Sequence, residues 1–230
     1  MLKLANVNKT YNKIFRRSGL SGIFKDIFYP DNNLIHALKD INIKIGKGEK
    51  IGVVGKNGSG KSTLIKLLCS VIRPTSGEIL YNNKSLYSDL NNYKQSIGVM
   101  FGQRTQLSWE LAFQESLELL SEIYKIPKIQ AKQRIDYLAE FLDLKELLKT
   151  SIREMSLGQR IRCDIATIFL HKPQIIFLDE PTIGIDLEFK ETIHKFVNEI
   201  CSNENATLLV TSHDTADIIN LTQRLIILDS

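Results

Sequence analysis

The pattern of apolar and polar positions in the first hundred residues predicts mainly β-strands. Residues 2–8 alternate between apolar and polar side chains, which is the pattern of a half-buried strand. Residues 63–70 differ, because their apolar side chains at 64, 65, 67 and 68 have the spacing of a buried helix. The other predicted strands are two within 34–54, separated by a turn at 46–49, and one each at 78–81 and 97–101.

After residue 95, helical and strand patterns alternate. The segment from about 104 to 155 is helical, with apolar residues at 117, 119, 120 and 123 and again at 135, 138, 141, 142 and 144. Such alternation predicts an α/β fold, in which a mostly parallel sheet is covered by helices on both faces. The remaining elements are helices near 157–170 and 187–201 and strands at 175–178, 207–211 and 225–228.

Residues 13–33 form a predicted insertion after the first strand. Their apolar side chains at 20, 23, 24, 27 and 28 have helical spacing, and the basic residues Arg16, Arg17 and Lys25 lie nearby. A helix at a membrane surface, or against a membrane partner, fits this pattern. An amphipathic flap that packs on its own domain fits it equally well.

Composition and charge narrow the class of protein. A chain of 230 residues with 43% hydrophobic and 24% charged residues is typical of a soluble globular domain. No apolar run reaches the roughly 18–20 residues that span a bilayer, and no signal peptide opens the chain. The three cysteines, Cys69, Cys163 and Cys201, lie far apart, so we expect reduced thiols in a cytosolic protein.

The formal net charge of +4 is concentrated at one end of the chain, because residues 1–35 carry six basic and two acidic side chains. This placement favours a local anionic neighbour, such as lipid headgroups, or simple solvated charge. It argues against a nucleic-acid track along the whole protein.

The most informative stretch lies between the buried run at 51–54 and the helix at 63–70. Its glycines let the backbone turn its N–H groups towards a phosphate chain, and the helix that continues from Thr63 attracts the same anion. In such a loop Lys61 reaches the β- and γ-phosphates and Ser62 holds Mg²⁺. A glycine-rich turn without a ligand is the alternative, but the strand–loop–helix context favours a nucleotide site. The eight residues, which have the spacing of a phosphate-binding loop, are Gly55, Lys56, Asn57, Gly58, Ser59, Gly60, Lys61 and Ser62.

Two acidic residues follow the apolar run at 175–178. Ligands of open α/β sheets bind at the carboxyl ends of the strands. We therefore expect Asp179 to bind Mg²⁺ through water, and Glu180 to act as general base or to polarise the attacking water. His213 also follows a strand, and it would share this edge if the strands are neighbours. Gln103 ends another strand, where its amide could contact both metal and water.

Two further candidates are Tyr11 and Ser156. Tyr11 stands just past the first predicted strand, where an exposed ring could stack on a base or pack on the core. Ser156 opens the helix near 157–170 with Gly158 and Gln159, and its hydroxyl, the backbone N–H groups and the helix dipole could bind a γ-phosphate. Because a long helical insertion separates Ser156 from the strand ends, we expect it to serve the nucleotide of a second copy.

These motifs, in their order and at their intervals, resemble the nucleotide-binding subunit of an ABC transporter over nearly the whole chain. The resemblance implies a phosphate-loop NTPase (RecA-like) core with an N-terminal antiparallel β-subdomain and an inserted α-helical subdomain. The implied divisions are about 1–100, 104–155 and 156–230. The motifs that carry it are the phosphate loop, Gln103, 156–159, 175–180, 183–186 and His213.

The resemblance also implies an ATPase mechanism. Two subunits, identical or closely related, would face each other head to tail, each holding Mg-ATP between its own phosphate loop and its partner's 156–159. Closure of this dimer would drive an integral membrane permease. The implied roles are adenine stacking for Tyr11, catalysis for Lys61, Gln103 and Glu180, γ-phosphate sensing for His213, and communication between the two sites for Asp186.

More narrowly, the insertion and the stretches 99–107 and 179–184 are similar to ABC-2-type exporter ATPases, closest to those of bacterial multidrug or antibiotic export. Such a protein would lie peripherally on the cytoplasmic face of a bacterial membrane and bind no nucleic acid. Polysaccharide-export ATPases are the second match, and a soluble single-domain ABC ATPase of an assembly process is another class. A nucleotide binder without turnover is disfavoured, because all four of Lys61, Asp179, Glu180 and His213 are present.

The sequence departs from the family pattern in three respects. Leu157 stands where the family most often has Gly, although Gly158 is retained. Because of the insertion, Phe28 or Tyr29 could stack on the nucleotide base in place of Tyr11. The chain stops right after its last predicted strand, where such exporters usually continue, as expected for a fragment.

Overall fold

The strands of the protein form two sheets. The computed structural model describes residues 1–14, 32–102 and 105–229, so Gln103 and most of the predicted insertion lie outside the described residues. Within these ranges the strands are β1 (Leu2–Ile14), β2 (Asn32–Ile45), β3 (Lys50–Gly55), β4 (Ser76–Tyr81), β5 (Lys84–Ser85), β6 (Ile97–Phe101), β7 (Ile175–Asp179), β8 (Thr207–Thr211) and β9 (Arg224–Leu228).

The larger sheet is parallel and has the strand order β6-β7-β8-β3-β9. Helices connect its strands, and the predicted parallel sheet is confirmed. Because β7 and β8 are neighbours, the residues that follow them lie at one edge of the sheet. The prediction that His213 shares an edge with Asp179 and Glu180 requires their strands to be neighbours, and the two strands are neighbours.

The smaller sheet is antiparallel, with the order β2-β1-β4-β5, and the predicted N-terminal antiparallel sheet is also confirmed. The expectation that Tyr11 stands past the first strand is wrong. Strand β1 continues to Ile14, because its second half pairs with the start of β2 and Tyr11 lies opposite Ile35. Cross-strand pairing extends the strand beyond the segment that the alternation of residues 2–8 reveals.

The helices agree with the predicted positions, with two additions. The phosphate-loop helix, the two helices of the 104–155 segment and the helices near 157–170 and 187–201 are all present. The sequence reading missed two short helices and the two-residue strand β5. The α-helices of the described residues are α1 (Lys61–Leu68), α2 (Leu90–Gln95), α3 (Phe113–Ile123), α4 (Lys128–Phe141), α5 (Leu157–Phe169), α6 (Leu187–Asn203) and α7 (Thr215–Leu221).

The central strands β7 and β8 of the parallel sheet are buried on both faces, which explains why they read as unbroken apolar runs. Along β7, Ile176 and Leu178 pack into a core shared with α3, α4, α5 and α6. Ile175 and Phe177 point the other way, into a core shared with α1 and the antiparallel sheet. Successive side chains of a strand point to opposite faces, so the residues on both faces of β7 must be apolar.

The described residues contain no helix that is long and apolar enough to cross a membrane. All three cysteines are free and buried. Burial raises the pKa of the Cys163 and Cys201 thiols to about 12, which keeps both in the thiol form.

Candidate functional site

Most of the predicted phosphate loop and three of the predicted catalytic residues, Lys61, Glu180 and His213, line one cleft. The cleft has a volume of about 370 Å³, and it includes Asp179, Glu180 and His213 at the carboxyl ends of β7 and β8. Gly102, the last described residue before Gln103, also lines it, and its N–H donates to the Asp179 carbonyl at 2.9 Å. The phosphate-loop side is formed by Asn57, Gly58, Gly60, Lys61, Ser62 and Thr63.

The loop is held in a backbone conformation that requires glycine. Gly58 and Gly60 have φ values of 86° and 96°, in the left-handed region that side chains disfavour. At Gly60 a Cβ atom would also lie 2.3 Å from the Ala37 carbonyl oxygen of β2. The loop is therefore packed directly against the antiparallel sheet, and its shape depends on that contact.

Lys61 is folded back over this loop. Its ammonium donates to the carbonyl oxygens of Gly55 at 2.7 Å and Lys56 at 3.1 Å, and the residue is only 8% exposed. The first backbone hydrogen bond of α1 runs from the Leu64 N–H to the Gly60 carbonyl, so the preceding N–H groups have no bond within the helix. A fixed cation and free N–H groups at a helix start are the features that bind a phosphate chain.

Asp179 and Ser62 supply the oxygen ligands that Mg²⁺ prefers. Both line the cleft, and the Thr211 hydroxyl donates to Asp179 Oδ1 and so fixes the carboxylate. Mg²⁺ bound with a nucleotide typically has one or two protein oxygen ligands, phosphate oxygens and water. The residues fit such an ion, although the described ranges contain no cluster of three or more His, Cys, Asp or Glu side chains that could hold a metal by themselves.

Glu180 and His213 form a pair at the same edge. Glu180 Oε2 accepts the His213 N–H at 3.1 Å, and its Oε1 lies 3.4 Å from His213 Nε2. The Glu180 backbone has a φ of 55°, and its N–H donates to the Thr211 carbonyl at 2.9 Å. A non-glycine residue held in the left-handed region stores strain, and such residues occur often at catalytic positions. The side chain is 15% exposed, so water can reach this carboxylate from the cleft.

The sequence reading missed one wall of the cleft, formed by residues 35–37 of β2. Directly opposed residues of an antiparallel pair point to the same face. Tyr11 therefore faces the same side as Ile35, and it is 39% exposed, with the Lys9 ammonium 5.1 Å from its ring centroid. Its role in adenine stacking stays a prediction, and the alternatives Phe28 and Tyr29 lie outside the described residues. Only the register of β1 on β2, which the sequence pattern does not give, could have identified this wall.

The segment 156–159 lies at the start of α5, where Ser156 and Leu157 are exposed and the next two residues are half-buried, and it contributes nothing to the described lining of the cleft. The Gln159 N–H donates to Ser156 Oγ at 3.3 Å, and Gln159 Oε1 accepts the Ser156 N–H at 2.9 Å, an arrangement that caps the helix. Gly158 has open space around it, since an added Cβ would meet nothing within 4 Å. The motif therefore does not line the cleft that contains the phosphate loop of the same chain.

Asp186 caps a different helix. Its Oδ1 accepts the Phe189 N–H at 2.9 Å at the start of α6, and the side chain is exposed. In a single chain this is a structural cap, and communication between two sites stays a prediction. The preceding Gly184 has a φ of 78° and lies beside Leu157, where an added Cβ would be 3.1 Å from the Leu157 side chain.

A buried carboxylate links the helix of the 156–159 motif to the segment that follows Gln103. Asp164 Oδ1, on α5, accepts the Thr105 hydroxyl at 2.8 Å and the Gln106 N–H at 3.2 Å. Burial raises the pKa of the Asp164 carboxyl to about 6, although both hydrogen bonds oppose that shift. The ionised carboxylate therefore reduces the stability of the folded state at neutral pH.

We expect Asp164→Asn to change how stability depends on pH. The pKa in the folded protein exceeds the unfolded value of about 4, so the contribution of this group to stability falls as pH rises from about 4 to 6. Asparagine keeps an oxygen that accepts both hydrogen bonds and carries no charge. In urea denaturation, the unfolding free energy of the variant minus that of the wild type should rise by about 2 kcal/mol from about pH 4 to pH 8. Asp136→Asn, at an exposed position, is the control, and parallel curves for Asp164→Asn and the wild type would contradict the assignment.

Comparison with known proteins places this arrangement in a family. The family model described as ABC transporter matches residues 38–183, which contain the phosphate loop, the 156–159 motif and both acidic residues. A solved dimeric ATP-binding cassette in a post-hydrolysis state, bound to ADP and Pi, matches with a TM-score of 0.82 at 27% identity. The match covers 100% of this chain and 94% of the solved chain.

Of three curated relatives, one is named for drug resistance and one for import. The ABC transporter ATP-binding protein NatA of Bacillus subtilis is 29% identical over 88% of this chain and 82% of the relative. The daunorubicin resistance ATP-binding protein DrrA3 of Streptomyces coeruleorubidus is 30% identical over 84% of this chain. The methionine import ATP-binding protein MetN of Carboxydothermus hydrogenoformans is 29% identical over 89% of this chain. The chain spans 61% of the length of DrrA3 and 62% of the length of MetN.

Proposed function

Since the chain belongs to the ABC transporter family and is one of its ATPases, we propose that it is the ATP-hydrolysing subunit of an exporter. Two such subunits bind Mg-ATP head to tail, and their closure and reopening drive a membrane permease. The observation that carries the proposal is that the 156–159 motif does not line the cleft that holds the phosphate loop. An exposed helix start with a serine and free space at Gly158 is a phosphate-binding surface that its own chain does not use.

Exposed apolar side chains beside this motif support the proposal that a second copy of the chain completes the nucleotide site. Leu157 is 42% exposed, Ile183 is 43% exposed, and both flank Gly184. Ile183 also lines the cleft, so this apolar surface connects the cleft to the 156–159 motif. Contiguous apolar surface next to an incomplete polar site is characteristic of a protein–protein interface.

The roles of the cleft residues follow from their positions. The phosphate loop and Lys61 bind the triphosphate, and Ser62 and Asp179 hold Mg²⁺, which neutralises phosphate charge when it is bound. Glu180 takes the proton of the attacking water, and His213, in contact with Glu180, senses the γ-phosphate. Tyr11, on the same face as Ile35, stacks on the adenine.

A mixing experiment tests the shared site. Lys61→Ala removes the phosphate-loop cation, and Ser156→Arg blocks the exposed helix start, so each variant alone should lose nearly all ATP turnover. A head-to-tail dimer of one copy of each variant has one intact site, made from the phosphate loop of the Ser156→Arg chain and the 156–159 motif of the Lys61→Ala chain. Phosphate release should therefore rise at least tenfold when equal amounts are mixed.

The outcome of mixing separates shared sites from self-contained ones. If each chain contained a complete site, the mixture would show only the average of the two variants. Lys61→Ala mixed with itself, at the same total concentration, is the control. An average rate in the mixture would overturn the head-to-tail proposal.

A second cleft supports coupling to a membrane partner. It lies on the other side of Asp179 and is lined by apolar Val71, Val99 and Phe101, together with Gln106 from the segment after Gln103. Val71 is 59% exposed. A partner that fills this cleft would contact the same segment that Asp164 ties to α5, and so would affect both halves of the shared site.

Export rather than import rests on the resemblance of 99–107 and 179–184 to exporter ATPases, and the name of DrrA3 agrees with it. We place the protein at the cytoplasmic face of a bacterial membrane. Affinity purification from solubilised membranes should recover an integral membrane protein with the wild-type chain. Recovery of soluble proteins alone would favour an assembly ATPase, and recovery of a permease that moves substrate inwards would contradict export.

A further inference from the structure

One carboxylate outside the cleft accepts three hydrogen bonds in the protein interior. Asp217, on α7, is fully buried. It accepts the Thr182 hydroxyl and the Ser212 hydroxyl, each at 2.6 Å, and His194 Nε2 at 2.7 Å. The three donors are themselves buried, with exposed fractions between 2% and 7%.

Two of these donors are next to the residues that the proposed reaction uses. Ser212 immediately precedes His213, and Thr182 lies two positions after Glu180. Ser212 Oγ also accepts the Asp214 N–H at 2.9 Å, which fixes the turn that carries His213. The carboxylate of Asp217 therefore joins the two segments whose side chains meet in the cleft.

The third donor, His194, connects the same carboxylate to α6. That helix begins at the loop 183–186, which lies beside Leu157 and contains Ile183 of the cleft. Because an ionised carboxylate can only accept hydrogen bonds, the Nε2 of His194 must carry the proton. Asp217 thus holds together three segments that reach the cleft, although it does not line the cleft itself.

The three hydrogen bonds are needed to keep this group ionised. Burial alone would raise the pKa of Asp217, but the hydrogen bonds from His194, Ser212 and Thr182 outweigh burial and lower it. A buried carboxylate that lost one of these donors would be less stable, so each donor supports the others. Such a network fixes the relative positions of its members more firmly than single contacts do.

We propose that Asp217 is a positioning residue, which sets the geometry of Glu180 against His213 for ATP hydrolysis without touching the nucleotide. The inference rests on the proposed function of those two residues. A displacement of catalytic groups by about 1 Å can cost about 100-fold in rate. Loosening the network should therefore reduce turnover, while ATP binding at the phosphate loop, which belongs to other elements, should change little.

Asp217→Asn in the 230-residue chain provides the first test. The amide has the shape of the carboxylate, but its nitrogen is a donor and can no longer accept the bonds that one carboxylate oxygen received. We expect kcat for phosphate release to fall on the order of 10- to 100-fold. KM and the equilibrium affinity for ATP should stay within about threefold. An unchanged kcat in folded protein, or a loss of ATP affinity equal to the loss of kcat, would overturn the proposal.

A matched pair at Thr182 covers the case in which Asp217→Asn does not fold. Thr182→Val removes the hydroxyl at nearly constant volume, and Thr182→Ser keeps it. Valine should lower kcat about tenfold, and serine should restore most of it. Equal kcat values for the two variants would contradict positioning by this bond.

Two further variants separate this inference from loss of stability and from the proposed function. Arg134→Met breaks a buried ion pair with Glu204 at 2.7 Å on a helix that does not line the cleft, so it should lower stability without lowering the kcat of folded protein. Glu180→Gln tests the proposed function itself. If Glu180→Gln is inactive and Asp217→Asn has wild-type kcat, only the positioning role fails. Wild-type activity of Glu180→Gln would instead overturn the reaction on which the inference rests.

Discussion

Replacing Glu180 with glutamine is expected to lower ATP turnover by two to three orders of magnitude and to leave ATP binding intact. A positioned general base contributes typically about 10²–10⁴ to a rate. Glutamine keeps an oxygen that can accept the His213 N–H, so the edge of the cleft should keep its shape. The phosphate loop and Lys61 are untouched. Phosphate release and equilibrium ATP binding, measured on the same preparation, check both halves of this prediction.

The same variant should accumulate as an ATP-bound dimer. If closure needs ATP and reopening needs hydrolysis, a chain that binds but does not hydrolyse ATP stays closed. Size-exclusion chromatography with Mg-ATP should therefore shift Glu180→Gln to twice the monomer mass, and ADP should not. Glu49→Gln, which changes a carboxylate paired with Arg224 away from the cleft, is the control and should behave as wild type. A variant that remains monomeric with Mg-ATP would contradict the sandwich mechanism.

Much of the fold could be predicted from the sequence because the central strands of the parallel sheet are buried on both faces. The run 175–178 must be apolar at every position to fill two cores, and such a run cannot be mistaken for a surface strand. The second half of β1 was harder to predict, since its residues around Tyr11 are polar and partly exposed. Its strand character comes from pairing with β2, a contact between segments that no local pattern reveals.

The candidate site also contains residues that could be predicted from the sequence and residues that could not. Lys61, Asp179 and Glu180 could be found because each belongs to a local motif with a mechanistic reason for its spacing. The wall formed by residues 35–37 and the buried Asp217 could not, since their roles depend on sheet register and on hydrogen bonds between distant segments. A lone Asp on a short helix has no sequence signal that distinguishes it from a surface residue.

The close packing of the phosphate loop leads to the other large expected effect, that of Gly60→Ala. Alanine at a φ of 96° is strained by about 1–2 kcal/mol. Its Cβ would also lie 2.3 Å from the Ala37 carbonyl oxygen, and Ala37 precedes Leu38, which is buried in the core of the antiparallel sheet. Since that strand cannot move freely, the loop must shift, at a cost of about 1–3 kcal/mol for overpacking. We expect the unfolding free energy to fall by about 2–5 kcal/mol and ATP affinity to fall at least 100-fold.

Gly58→Ala separates the clash from the strain, because Gly58 has a similar φ of 86° but nothing within 4 Å of an added Cβ. Urea denaturation without nucleotide should show a loss of only about 1–2 kcal/mol for Gly58→Ala. The difference between the two variants then measures the contact between the loop and β2. Equal losses would mean that backbone strain alone explains the glycine at position 60, and that β2 does not determine the shape of the phosphate loop. A larger loss for Gly60→Ala would instead identify the antiparallel sheet as the element that holds the loop ready for a triphosphate.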